Sequence, residues 1–502
     1  VKGMSDKPVI IVIREDNVTI EPAGDLWGKD TFCTDEQMKE RFGPSCETSC
    51  IGVAGERLVP ISCIGHDGEN ARMSGRCGFG AVMGSKKLKA VAVIGNMETE
   101  IADPKRLMAQ QKKMVPIIVE KTKGMHLLGT AGGTAAAEKM GDFPVQNWRR
   151  GNWPDAEKIT GQVMADTILT KNYYCASCPI GCGRDVEIKS GRWAGVKGAG
   201  PEYETLGLMG GSCLVNDLEA ITYAADLCNR HGVDTIEAGS AVAMAMECFE
   251  KGFLSPDELD GISAEWGSAE ALVALTEKIC MAEGAGKLLG LGVAGMAKKI
   301  PGAESFAIHV KGLTLPAHDP RCFNTMAVGY ATSNRGACHL ASSAYFFEKT
   351  AVMPEFGYEK PRARYTEGGE GLLNFHAQNL MGLMDSLKMC KFTIYGGVNV
   401  TEICEWYEAV TGVKTSVKEM AETGERIFNL KRLYNIRLGL RRKDDRLPER
   451  ILSTPRRDEG TGDYTPDLEP MLDEYYRVRG WDNDGVPKPE TVERLGLNEK
   501  FF

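Results

Sequence analysis

The 502-residue chain lacks any run of 18 or more uninterrupted apolar residues, which excludes a conventional membrane-spanning helix. Its first thirty residues lack the basic start, apolar middle and cleavage site of a secretory signal, so the expected protein is soluble and cytoplasmic. A basic stripe is absent too. The net charge is -9, and the longest basic runs, in MGSKKLKAV and LGLRRKDDR, are short and interrupted, which argues against nucleic acid as a partner. Internal repeats and low-complexity tracts are missing, which sets aside solenoids and linkers. Because no export signal accompanies them, the 16 unevenly placed cysteines read as thiols and metal ligands rather than a disulfide framework.

What is present is glycine. The 58 glycines make roughly 12% of the chain against a usual ~7%, which suits tight turns and close backbone approaches around a bound group. The length implies two or three domains, because single cores rarely grow beyond about 250 to 300 residues. The alternating stretch SDKPVIIVIREDNVTIEPAGDLWG predicts two strands joined by a polar turn, and sheet character continues to AVAVIGNM. Beyond IADPKRL the pattern becomes helical, in KRLMAQQKKMVPIIVEKT, NDLEAITYAADLCNRHG, IEAGSAVAMAMECFEKG and SAEALVALTEKICMAEG, each closing at or before a glycine. Further helices are predicted in GGEGLLNFHAQNLMGLMDSLKM and VKEMAETGERIFNLKRLYNIRLG, ahead of a loop-rich tail. The expected class is therefore α+β. Its parts are a sheet-rich unit over 1–101, a mainly helical unit over 102–308 and a second helical unit over 309–502.

The sharpest motif is NYYCASCPIGCGRD, which sets Cys175, Cys178 and Cys182 at a C-x2-C-x3-C spacing. On one helix face or on a tight loop containing Pro179 and Gly181, such thiolates converge on an iron-sulfur cluster or on zinc. Three are one short of a full set. The fourth must come from Cys213, Cys228, Cys322, Cys338, Cys390 or Cys404, and spacing alone does not choose. MSGRCGFGAVMGSKKLKAV has the glycine density of an anion cradle, with Gly75, Gly78 and Gly80 freeing backbone N–H groups and Arg76 and Lys86 supplying charge. In GPEYET, Glu202 and Glu204 alternate around Tyr203 and would share a face if the segment were extended.

Taken in order, GRCGFGAVMGSKKLKAVAV, CASCPIGCGRD, GPEYETLGLMGG, PAHDPR, YATSNRGACHL, MDSLKMCKF and the closing YYRVRGWDNDGVPKPETVERLGL resemble the aldehyde ferredoxin oxidoreductase family over the whole chain. The resemblance implies one tungsten, or molybdenum, held by two pterin dithiolenes beside a 4Fe-4S cluster, with magnesium bridging the pterin phosphates. It makes Cys390 of DSLKMC the fourth cluster ligand with Cys175, Cys178 and Cys182. Glu204 and His339 then take the catalytic places, with His318 as a rival to His339. Ser74, Gly75, Arg76, Gly78, Asn229, Asp234, Thr235, Asp385 and Met389 fall in cofactor-binding segments. Departures from the pattern are Cys77 for a glycine, Asn229 for an aspartate, and Lys388 and Met389 for Gly-Leu. Tyr223 stands where some relatives carry a subunit-bridging glutamate, so a homo- or hetero-oligomer would need another route. Family members carry roughly a hundred residues before the point matching Val1, so the first unit is expected to be only the later part of a pterin-cradling domain. The implied activity is oxidation of aldehydes to carboxylates, or the reverse, with electrons passing to ferredoxin or a partner subunit. Rival readings are a tungsten subunit of a benzoyl-CoA reductase type and a zinc-stabilised structural protein.

Overall fold

The computed structural model describes residues 1–497. Its sheet-rich beginning follows from alternation: β1 (Val9–Arg14) and β2 (Asn17–Pro22) form an antiparallel hairpin turning at Glu15 and Asp16, with Ile11 opposite Ile20. With β3 (Glu47–Cys50), β4 (Ile64–His66), β5 (Arg72–Ser74) and β6 (Leu88–Ile94) they build a six-stranded sheet in the order β2-β1-β6-β3-β4-β5. β1 and β6 run parallel, and the other neighbours are antiparallel. Ile10, Val12, Ala90 and Ala92 point to one face and pack with Leu26, with Met38 of α1 (Thr31–Phe42), and with Cys46 and Cys50. The short residues on β6 let helix and sheet approach closely.

The helical region begins with α2 (Pro104–Lys121), whose first turn is capped by Asp103 accepting from the Arg106 N–H. A small three-stranded sheet follows, β7 (Leu169–Tyr173), β8 (Gly183–Glu187) and β9 (Lys197–Ala199), which helical periodicity did not anticipate. The cysteine motif is the loop between β7 and β8. Beyond it lie α3 (Leu218–His231), α4 (Thr235–Glu250) and α5 (Ala269–Met281). Helix α4 is buried on all sides from Ile236 to Cys248. Its Gly239 lies so close to the Leu208 backbone that a Cβ would stand 2.7 Å from the Leu208 carbonyl carbon. That approach holds the π-helical turn Leu206–Gly210, and with it the Glu204 backbone just upstream, against the core.

The last region packs α6 (Thr325–Thr332), α7 (Glu370–Ser386), α8 (Val417–Arg437) and α9 (Leu468–Arg479) around a second apolar core. Helix α9 arises in the stretch expected to be rich in loops. Its charged sequence hides a buried face of Leu472, Tyr475 and Tyr476 that lies along α7. Among the described residues, no helix is long and apolar enough to cross a membrane.

Candidate active site and thiol cluster

A cavity of about 1410 Å³ opens where the sheet, the α3–α4 junction and the segments 335–352 and 392–397 of the last region meet. Ser74, Gly75 and Arg76 enter it from the end of β5, and Asn229, Asp234 and Thr235 from the turn between α3 and α4. Gly75 has open space where a Cβ would stand, so the chain presents bare backbone to the cavity there. Asp234 caps α4 by accepting from the Ile236 N–H at 3.0 Å, and its other oxygen lies 3.3 Å from Arg76 Nε. Arg76 also donates to the carbonyls of Thr314 (2.7 Å) and Ala337 (2.8 Å) and lies 3.4 Å from Glu237. One buried guanidinium thus holds two buried carboxylates, and Glu237, pushed up by burial to about 7 despite Arg76, leaves Oε2 unpartnered.

The anion-cradle segment is only partly aimed at the cavity. Gly78 adopts a left-handed φ of 71° to start the short helix Phe79–Ser85, and a Cβ there would strike the Pro60 carbonyl at 2.3 Å. It does not line the cavity, and Lys86 turns away to the Gly3 carbonyl. Asp385 is exposed and pairs with Lys391 at 2.9 Å, while Met389 packs against the second core, so neither reaches the cavity wall.

Glu202 and Glu204 do not share a face. The segment turns helical at Tyr203–Thr205, which sends Glu202 outward to Thr130 Oγ1 (2.5 Å) and toward Arg72, and Glu204 inward. Glu204 Oε2 accepts from the Ala317 N–H at 2.6 Å, but its Oε1 is buried without a hydrogen-bond partner. That oxygen lies 3.4 Å from His339 Nε2 and 3.6 Å from His318 Nε2. Burial raises the Glu204 carboxyl, partly offset by His318 and the Ala317 N–H. Burial, with His318 and Arg76 adding like charge, holds His339 well below the ordinary histidine range, and its Nδ1 has no partner. Both histidines therefore belong to the site. His318 differs in being anchored, with Nδ1 2.8 Å from the buried Asp142 Oδ2.

Met125, Leu128, Phe346, Phe392 and Tyr395 supply an apolar wall of the cavity. Sequence reasoning passed over Asp142, Tyr345 and Lys349. Asp142 sits in a plain turn, MGDFP, and meets His318 only through a separation of 176 residues. Cys213 does not line the cavity and donates to the carbonyls of Leu208 and Gly239, the behaviour of a packed thiol.

The loop after β7 folds Cys175, Cys178 and Cys182 around a turn closed by the Cys178 N–H on the Cys175 carbonyl (3.1 Å), with Ser177 and Gly181 in left-handed conformations. Cys390, just past α7, joins them. Burial and then Glu202, Cys390 and Cys175 push the Cys182 thiol up to about 12, and Cys390 is raised by burial and by Cys178 and Cys175. Cys175 and Cys390 are exposed, whereas Cys182 lines the cavity, so the group runs from the surface to the site. Among the described residues, no three His, Cys, Asp or Glu side chains converge as ligands of a single ion.

Comparison with known proteins bears on this arrangement. The model described as aldehyde ferredoxin oxidoreductase, N-terminal domain, matches residues 1–95, and that for domains 2 and 3 matches residues 107–497. The chain belongs to the aldehyde ferredoxin oxidoreductase family. The N-terminal match corrects the expectation that the family's first hundred residues are lacking. The tungsten-containing aldehyde ferredoxin oxidoreductase of Thermococcus kodakarensis is 36% identical over 509 residues, covering 99% of this chain and 81% of that protein. Its Pyrococcus furiosus counterpart is 36% identical over 511 residues, covering 100% and 82%. The aliphatic sulfonate oxidoreductase, WOR-like subunit, of Pyrococcus furiosus is 28% identical over 531 residues, covering 99% and 80%. Among solved structures, the active-site complex BamBC of benzoyl-coenzyme A reductase with 1,5-dienoyl-CoA superposes with a TM-score of 0.82 at 22% identity, covering 99% of this chain and 80% of that one. At that identity the likeness speaks for the fold alone.

Proposed function

We propose that this member of the aldehyde ferredoxin oxidoreductase family oxidises aldehydes to carboxylates, or runs the reverse, at a tungsten or molybdenum bis-pterin. Electrons would leave through a 4Fe-4S cluster to ferredoxin or a partner subunit. The observation that carries the reading is the orphaned Glu204 Oε1, buried between two imidazoles at the wall of a cavity that also exposes Cys182. A buried carboxylate oxygen without a donor is costly, and it is retained where a reacting proton must be met.

The residues present fit the group. The cavity has room for it, Gly75 offers bare backbone, and Asn229, Asp234 and Thr235 offer carbonyl, carboxylate and hydroxyl oxygens suited to the N–H edge of a pterin. When bound, the metal centre supplies the two-electron acceptance that no amino acid side chain provides. Glu204 takes a proton at Oε1, and the apolar wall excludes water from the reacting carbon. His339, held neutral, orients the substrate oxygen through its imidazole. Cys175, Cys178, Cys182 and Cys390 hold the cluster, and a cubane tolerates a wider thiolate spacing than the tight tetrahedron of zinc. With Cys175 and Cys390 exposed, a protein acceptor can approach closely.

Anaerobic purification followed by metal analysis and an aldehyde oxidation assay with a low-potential dye tests the reading. About four irons and one tungsten or molybdenum per chain, with aldehyde-dependent dye reduction, is expected. Zinc without iron or tungsten would overturn it.

A further inference from the structure

The site contains a histidine built unlike its neighbour. His318 and His339 both direct Nε2 at Glu204 Oε1, yet only His318 has its other nitrogen fixed, by Asp142 at 2.8 Å. Asp142 is itself fully buried and over-determined: its Oδ1 accepts from the Asp319 N–H at 3.0 Å, and Lys349 Nζ lies 3.3 Å from Oδ2. Against the burial that would raise it, His318, Lys349 and the Asp319 N–H hold its carboxyl below the usual range, so it is an anion. Tyr345 stacks on the His318 ring with centroids 4.0 Å apart and Tyr203 with centroids 5.0 Å apart, which leaves the imidazole little freedom to turn. The Tyr330 hydroxyl donates to the His318 carbonyl at 2.9 Å and fixes the backbone as well.

We propose that Asp142 and His318 form the exit relay for the proton that Glu204 accepts, with Asp142 as the positioning residue. This rests on the function proposed above. Conversion of an aldehyde and water to a carboxylic acid releases two electrons and two protons, and the electrons go to the protein acceptor already named. One proton arrives on Glu204 Oε1. Its O–H bond then breaks as an N–H bond forms at His318 Nε2, which restores the Glu204 carboxylate for the next turnover. The imidazolium donates its Nδ1–H to Asp142, which fixes the tautomer and offsets the charge, the same division of labour as in an Asp-His pair serving a nucleophile. The proton leaves His318 Nε2 to water that enters the cavity, which His318 lines, once product has gone, so the Nδ1–H tautomer held by Asp142 is restored. His339 cannot share this task. It has no anion on Nδ1, and burial together with His318, Arg76, Arg335 and Lys391 disfavours its cation.

Every charged group facing His318 agrees with this assignment. Asp142 and Glu204 are the anions at its two nitrogens. Lys349 is neutralised by Asp142, and Arg76 is neutralised by Asp234 and Glu237. Tyr203, Tyr330 and Tyr345 are held as neutral phenols, chiefly by burial.

The test is a pH titration of the Glu204 carboxyl band by infrared difference spectroscopy on the full chain as purified, with the band assigned by its loss in Glu204→Gln. His318→Gln is expected to move the midpoint to higher pH, because the proton that Glu204 would pass to the imidazole then stays on the carboxyl. The acid limb of kcat should move the same way, with kcat down about tenfold to a hundredfold and KM within twofold. His339→Gln should lower activity and leave the Glu204 midpoint nearly where it was. Asp142→Asn, which presents an amide to Nδ1 and can invert the tautomer, should cost as much in kcat as His318→Gln. The double variant should cost no more than either, since the two act as a unit. A Glu204 midpoint unmoved by His318→Gln, or moved equally by His339→Gln, would overturn the proposal, as would additive losses in the double variant. If one variant does not fold, the other still reads the acid limb. Should the wild-type protein lack tungsten or aldehyde activity, the functional reading fails on its own, while the carboxyl titration continues to report whether Glu204 and His318 exchange a proton.

Discussion

Glu204 joins the two properties a proton acceptor needs: an oxygen without a donor, and a second oxygen held by the Ala317 N–H so that the first keeps its aim. Glu204→Gln keeps the shape and removes the basicity. Activity is expected to fall about 10²- to 10⁴-fold with metal content unchanged, and steady-state kinetics beside metal analysis check this. Arg76 shows the opposite logic, that of a charge kept because two others depend on it. Arg76→Met would leave Asp234 and Glu237 buried without their cation, and a destabilisation of about 3 to 5 kcal/mol is expected. A denaturant midpoint near that of the wild type would contradict it. At this scale Glu204, His339 and the rival His318 were singled out through the family resemblance rather than by residue type alone, and the fold places the three together. Asp142 was not singled out, since its meaning lies wholly in a partner 176 residues away.

Helices were legible where the 3.6-residue period is strong, as in α3 and α8, and glycine stops such as Gly232 mark their ends. The sheet β7–β9 and helix α9 were not, because both take their buried faces from packing onto distant elements. The alternation of Glu202 and Glu204 in GPEYET was equally misleading, for a helical turn replaces the extended strand that the carboxylate spacing suggested. The packing of α8 on α7 depends on Gly424, where a Cβ would lie 2.3 Å from the Asn379 carbonyl. Gly424→Ala should therefore force the helices apart and cost about 1 to 3 kcal/mol, seen as a lower unfolding midpoint without a change in cofactor content. Helix α7 also carries a pH sensitivity. His376 is lowered to about 4, by burial first and Arg479 second, against about 6.5 in an unfolded chain. Between those values the unfolded state binds more protons, so stability rises with pH and is lost as pH falls from about 6.5 toward 4. His376→Gln should flatten that part of a melting-temperature profile, and an unchanged slope would remove His376 as its cause.

Across the whole molecule, the order of sheet-rich and helical parts could be read from the sequence, but not how the parts are tied together. The thiols make the point: three lie on one loop of the middle region, and the fourth follows a helix of the last region more than two hundred residues later. Spacing left six candidates for a fourth thiol, the family resemblance named Cys390, and the fold brings Cys390 near enough to Cys175, Cys178 and Cys182 for their charges to be felt. A cluster held there binds the folded chain and not the unfolded one, so it stabilises by linkage as well as by closing a long loop. Oxidative bleaching of the cluster should consequently lower the melting temperature of the whole protein rather than of one region. Cys390→Ser should reproduce most of that loss while leaving the cavity residues in place. Calorimetry of the intact, bleached and variant proteins decides it, since a transition unmoved by loss of iron would mean that the two regions are joined by packing alone.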